Sequence, residues 1–168
     1  MNEFYIAVAG SYWVWAMFGT AVLLTAVHAI EEVDGKGGPL WSEFGRIAGV
    51  RVSPNLGFLG VVVFLPFASI VAATLGYVNG LPLWASILCG IRLGDTLFSH
   101  VGLVAIGLSI PNPGIYSSLF FVVEGSLILY LWETLSWPVV LFAAAPFAVV
   151  LPLLILLRSL GVLLSQVR

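Results

Sequence analysis

Charge is what this chain has least of. Lysine, arginine, aspartate and glutamate make up 8% of its 168 residues, against roughly 25% in an average soluble domain. A soluble protein builds its water-facing shell from such residues, and here there are too few to cover one. With 61% hydrophobic residues, the expected solvent for much of the surface is the hydrocarbon of a bilayer. Cysteine is nearly absent as well. Cys89 stands alone in an apolar stretch, which excludes a disulfide framework and a CxxC metal site and leaves a thiol expected to act as inert packing. The net charge is only −2 and no basic patch exists, so nucleic acid is excluded as a partner. The opening MNEFYIAVAG has no basic n-region and does not read as a cleaved signal peptide.

Long apolar runs fill the space that charge leaves. At about 20 residues per span, the chain has room for four to six crossings and no separate soluble domain. The expected fold is all-α: a polytopic membrane helix bundle of about five transmembrane helices, one domain over residues 1–168. The spans are predicted at about 5–33, 55–78, 83–110, 115–132 and 139–164. Asn79-Gly80 with Pro82, and Pro111-Asn112-Pro113-Gly114, are the turn signals between them. Trp132 and Trp137 edge the last turn, as suits an aromatic belt. Pro146 and Pro152 fall inside the fifth span and predict a kink there. No internal repeat is evident.

The polar segment at 34–54 is an interfacial loop in this reading. Its Leu40, Trp41, Phe44 and Ile47 share one helical face, which suits a helix lying on the membrane surface or a lid over the bundle. Lys36, Arg46 and Arg51 in this loop, and Arg158 and Arg168 near the C-terminus, fall on one side of a five-span chain. The positive-inside rule then orients it N-out and C-in.

Charged side chains at membrane depth persist when they are paired or used. The ones placed there are His28, Glu31, Glu32, Arg92, Asp95, His100 and Glu124. His28 shares a helical face with Glu31 and Glu32 at i+3 and i+4, so a carboxylate can set the imidazole's tautomer. Arg92 and Asp95, at i and i+3, are expected to form an ion pair. Thr96 and His100 share a face. At 1.5 Å of rise per residue, the first, third and fourth helices bring His28, Glu31, His100 and Glu124 near one layer of the cytoplasmic half. Alone, Glu32 can instead reach the interface, and Glu124 can hold a structural hydrogen bond to Tyr or Ser.

The string His28-Ala29-Ile30-Glu31-Glu32 is an HxxEE motif at the end of an apolar helix. In this the chain resembles the HXXEE-domain family of small multi-span bacterial membrane proteins. The likeness extends to a polar residue followed by His in a later helix, here Asp95 to His100, and to a Pro-Gly before the next span, here Pro113-Gly114. The family pattern has an asparagine where Asp95 or Thr96 stands, and this position departs from it. The resemblance implies a bacterial cytoplasmic (inner) membrane protein and marks His28, Glu31 and Glu32, but it names no reaction. A looser similarity of architecture and residue types links the chain to small membrane isomerases of the emopamil-binding type.

Three functions remain open from the residues. The first is an enzyme for an isoprenoid- or lipid-like substrate, an isomerase or cyclase. Glu31 or Glu124 would then be the proton donor and His28 or His100 the relay, with Glu32 and Asp95 beside them and Phe98, Phe120, Phe121 and Trp132 as walls. The second is a metal-dependent enzyme holding Zn²⁺ or Fe²⁺ through His28, Glu31, Glu32 and His100, with Asp95 a further candidate; HExxH is absent, so a zincin is excluded. The third is a proton-coupled transporter or small-molecule binding protein. The expected partners are the lipid bilayer, a lipophilic small molecule and, for transport above all, a second copy of the chain.

Overall fold

The computed structural model describes residues 12–34, 63–105, 114–131 and 135–166. The polar segment from residue 35 onward, with Lys36, Arg46 and Arg51, lies outside the described residues, as do Trp132 and Arg168. Within them the chain is all-helical, as its composition predicts. Helix α1 (Tyr12–Asp34) is followed by α2 (Leu65–Ala73), which runs directly into a π-helical turn, Thr74–Val78. Helix α3 (Pro82–Gly94) continues through a second π-helical stretch, Asp95–Val101, into a last α-helical turn, Gly102–Ala105. Helices α4 (Ile115–Leu131) and α5 (Trp137–Gln166) complete the set.

The turn signals act where they stand. Gly80 adopts φ +66°, and Pro82 opens α3 in its first turn, where a missing N–H costs nothing because no helical acceptor faces it. Helix α5 runs through both Pro146 and Pro152.

Helix α3 is the hub. It packs against α2, α4 and α5, while α1 packs against α2 and α4. Contact with α5 is closest. A Cβ placed on Gly94 would lie 2.8 Å from the Ala144 Cα, so the two backbones approach through small residues, as helices do where lipid gives no hydrophobic drive.

The distribution of polarity is inverted relative to a water-soluble bundle. Among the described residues, buried polar and charged side chains are at least as numerous as buried apolar ones. Trp13, Phe64, Phe67, Phe120, Tyr130 and Phe142 meanwhile face outward and are mostly exposed. An apolar exterior of this extent marks a surface meant for something other than water. Among the described residues one helix, Tyr12–Glu32, is by itself long and apolar enough to cross a membrane; Leu65–Val78, Ile115–Tyr130 and Trp137–Val149 are shorter apolar helices.

Candidate metal centre

Two helices supply the polar centre. On α1, His28 and Glu32 are one turn apart, and both are buried. On α3, Asp95 and His100 are five residues apart. In an α-helix five residues turn through roughly 140° beyond a full circle, which would separate them. The i→i+5 hydrogen bonding of the π-helical stretch widens the turn and sets both on one face. Thr96, expected to share the face of His100, turns instead to α4: its Oγ1 lies 2.9 Å from the carbonyl oxygens of both Arg92 and Ser118.

The four side chains meet at their tips. His28 Nε2 is 3.1 Å from Asp95 Oδ2 and 3.7 Å from Glu32 Oε1. His100 Nε2 is 3.6 Å from Asp95 Oδ2 and 3.9 Å from Glu32 Oε1. The two imidazole rings stand edge to face, centroids 5.0 Å apart. Ligand atoms of His28, Glu32 and His100 all lie within 4.8 Å of one another.

The first turn of α4 closes this centre. Gly114 has φ +83°, a conformation open to glycine at no steric cost. Its position also forbids a side chain: a Cβ would sit 2.5 Å from His100 Cε1 and 2.8 Å from His28 Cε1. Three residues on, Ser117 Oγ donates to the Gly114 carbonyl oxygen at 3.2 Å and lies 2.9 Å from His28 Nδ1. If Ser117 spends its proton on Gly114, it accepts from His28 Nδ1–H, and this tautomer directs the Nε2 lone pair of His28 at the carboxylates.

Glu31 does different work from its neighbour. Its carboxylate accepts from the backbone N–H groups of Tyr116 at 3.1 Å and Ser117 at 3.0 Å. These are among the donors a helix leaves without partners at its start, and a negative charge suits that end of the dipole. Glu31 thus caps α4 from another helix and does not join the donor cluster.

A second polar layer lies toward α2. Arg92 donates from Nε to Glu124 Oε2 at 2.8 Å and from Nη2 to Thr25 Oγ1 at 2.6 Å and the Ala21 carbonyl at 3.1 Å. Its guanidinium stacks on Phe121, 3.9 Å from the ring centre. Tyr77 donates to the other oxygen of Glu124 at 3.1 Å. The expected Arg92–Asp95 pair is therefore replaced: Arg92 reaches across to α4, and Asp95 goes to the histidines. Glu124 holds a structural hydrogen bond to a tyrosine, as one reading of the sequence allowed.

No family model, curated protein or solved structure matches the chain.

Of the six residues singled out as catalytic, the structure gathers His28, Glu32, Asp95 and His100, and engages Glu31 and Glu124 elsewhere. Phe121 packs on the His28 ring at 4.7 Å between centroids, whereas Phe120 faces outward. Cys89 is buried, its thiol 3.6 Å from the Gly125 carbonyl oxygen. Two contributors were not singled out from sequence. Ser117 follows a Pro-Gly at a helix start, where a hydroxyl commonly bonds locally, but nothing in its spacing points to His28. Gly114 stood out as a helix breaker and as part of the family likeness, not as the roof of a site.

Proposed function

We propose that the protein is a membrane-embedded, metal-dependent enzyme. Its centre holds Zn²⁺ or Fe²⁺ between His28, Glu32, Asp95 and His100 and acts on a lipophilic substrate. The observation that carries this reading is the set of four N···O separations, 3.1–3.9 Å. A metal 2.0–2.2 Å from each donor of a tetrahedral site requires edges of roughly 3.3–3.6 Å, a range that these separations straddle, and ligand atoms of His28, Glu32 and His100 lie within 4.8 Å of one another. Two imidazoles and two carboxylates are also the donor types such ions favour, and the absence of thiolate argues against Cu(I).

Charge and tautomer support the same reading. A lone pair on His28 Nε2 and a carboxylate oxygen 3.1 Å apart repel unless a cation or a proton lies between them. Two buried carboxylates are neutralised by one divalent ion, whereas leaving them bare in a low-dielectric interior is expensive. Ser117 completes the arrangement typical of ligating histidines, which give their second N–H to an acceptor that fixes the ring. The ion would supply Lewis-acid polarisation or an activated water at a fifth position beyond these four donors.

The apolar exterior of the described helices supports a membrane-embedded bundle; five crossings, N-out and C-in, in a bacterial cytoplasmic membrane belong to the same proposal and rest on the apolar runs, the loop charges and the family likeness. The likeness to HXXEE-domain proteins belongs to this proposal and rests on the His28–Glu32 motif. One observation favours a metal-free variant. The 3.1 Å His28–Asp95 contact is also a hydrogen bond if Nε2 carries the proton, and the pair would then serve acid–base chemistry of the isomerase type.

Metal analysis of the protein purified in mild detergent decides between the two. About one equivalent of Zn or Fe is expected in the native protein, and none in His28→Ala or His100→Ala. Native protein without stoichiometric metal would overturn the metal centre.

A further inference from the structure

The centre is open on one side. Beside it lies a half-open pocket of about 20 Å³, room for a single water-sized group. Its floor is polar: His28, Glu32, Asp95 and Arg92. Leu65 and Pro66 from α2, Ile91 from α3 and Phe147 from α5 form its apolar wall. Helices α2 and α5 both pack on α3 but make no comparable contact with each other among the described residues. Next to the pocket's Leu65 and Pro66, Phe64 and Phe67 are about two-thirds exposed.

A polar floor of one-water size at the end of an apolar passage selects its ligand by size. A phosphate or carboxylate head is too large for this floor, which excludes such competitors. A long apolar chain cannot lie inside 20 Å³ but can trail outward along Leu65, Pro66 and Phe147. We propose that the substrate is a neutral amphiphile with one small oxygen head, a hydroxyl or carbonyl, on an apolar chain. It reaches the centre sideways, between α2 and α5. This rests on the metal reading of the same site.

Cobalt-loaded protein in detergent tests both and keeps them apart. The Co²⁺ absorption bands report the centre by themselves; without them the metal reading fails before the passage is tested. With them present, decanol is expected to shift the bands saturably, and decyl phosphate to require concentrations at least about tenfold higher. Leu65→Trp, shown to be folded by its own Co²⁺ spectrum, is expected to weaken the decanol response by about tenfold or more. Phe147→Ala, which widens the passage, is expected to admit 2-butyloctanol where the unaltered protein does not. Phe142→Trp on the exposed face of α5 serves as the control and should leave all responses in place. A decanol response that is missing, matched by decyl phosphate, or unchanged in Leu65→Trp and Phe147→Ala would overturn the proposal.

Discussion

At the scale of single residues, two adjacent glutamates divide the labour. Glu32 turns into the centre with His28, and Glu31 turns out of it to cap α4. The motif reads as one unit in sequence because i+3 and i+4 share a helical face, yet a difference of one position sends the carboxylates to different partners. Ser117 links the two tasks, since Glu31 holds its N–H and His28 engages its hydroxyl. Ser117→Ala should therefore leave the fold intact and weaken metal binding about 10–100-fold, the usual effect of losing a group that orients a ligand. Competition with a chromogenic chelator measures this, and an unchanged affinity would show that Ser117 does not orient His28. The Arg92–Glu124 pair makes a different prediction. Arg92→Met strands a buried carboxylate and is expected to destabilise by about 3–5 kcal/mol, read from unfolding in detergent. Arg92→Met combined with Glu124→Leu should lose less, because no charge is left stranded. A double variant as unstable as the sum of the single ones would show that the two residues act independently.

At the scale of elements, the π-helical stretch of α3 decides which side chains face α1. A regular α-helix over the same residues would put Asp95 and His100 on different faces. One residue removed from the stretch restores i+4 spacing, which an α-helix also sets on one face. Deleting Leu97, which is half exposed, should thus keep metal binding, whereas an alanine inserted after Leu97 should turn His100 about 100° further round and abolish it. Metal content of the two purified variants checks this, and loss of metal from both would show that the stretch does more than set register. The same feature shows where sequence reading stops. The starts of α3 and α4 were legible from Pro82 and Gly114, and that of α5 to within two residues, since Trp137 and Pro138, read as part of the turn, begin the helix. That His28 meets a carboxylate of its own helix was legible from helical spacing; that this is buried Glu32, which the sequence also allowed at the interface, and not Glu31 was not. Asp95 with His100, and Arg92 with Glu124, were not: both depend on how far one helix is rotated against its neighbours, and α-helical periodicity applied through the π-helical stretch points Thr96 at the site instead.

At the scale of the whole molecule, polar side chains gather inside the described helices and large apolar ones face outward, the arrangement on which the proposed membrane setting rests. The proposed five crossings would place the two termini on opposite sides. In inside-out and right-side-out vesicles, a membrane-impermeant maleimide should label Asn2→Cys and Arg168→Cys from opposite faces, with buried Cys89 giving little background. Labelling of both from one face would require an even number of crossings and would remove the basis for the N-out, C-in reading. The Gly114 roof carries a consequence beyond this geometry. The first turn of α4 is held to α1 by Glu31 and by the Ser117–His28 contact, and it lies against the rings that would ligate the ion. Occupancy of the centre and order at the start of α4 are then thermodynamically linked. At a free metal concentration 100 times its dissociation constant, that linkage is worth at most about 2.7 kcal/mol, reached if the opened corner does not hold the ion, so the Tyr116 and Ser117 amides should exchange their hydrogens more slowly, by up to roughly 100-fold, when the centre is filled. The backbone at this corner of the bundle would serve as an intrinsic gauge of whether the centre is loaded.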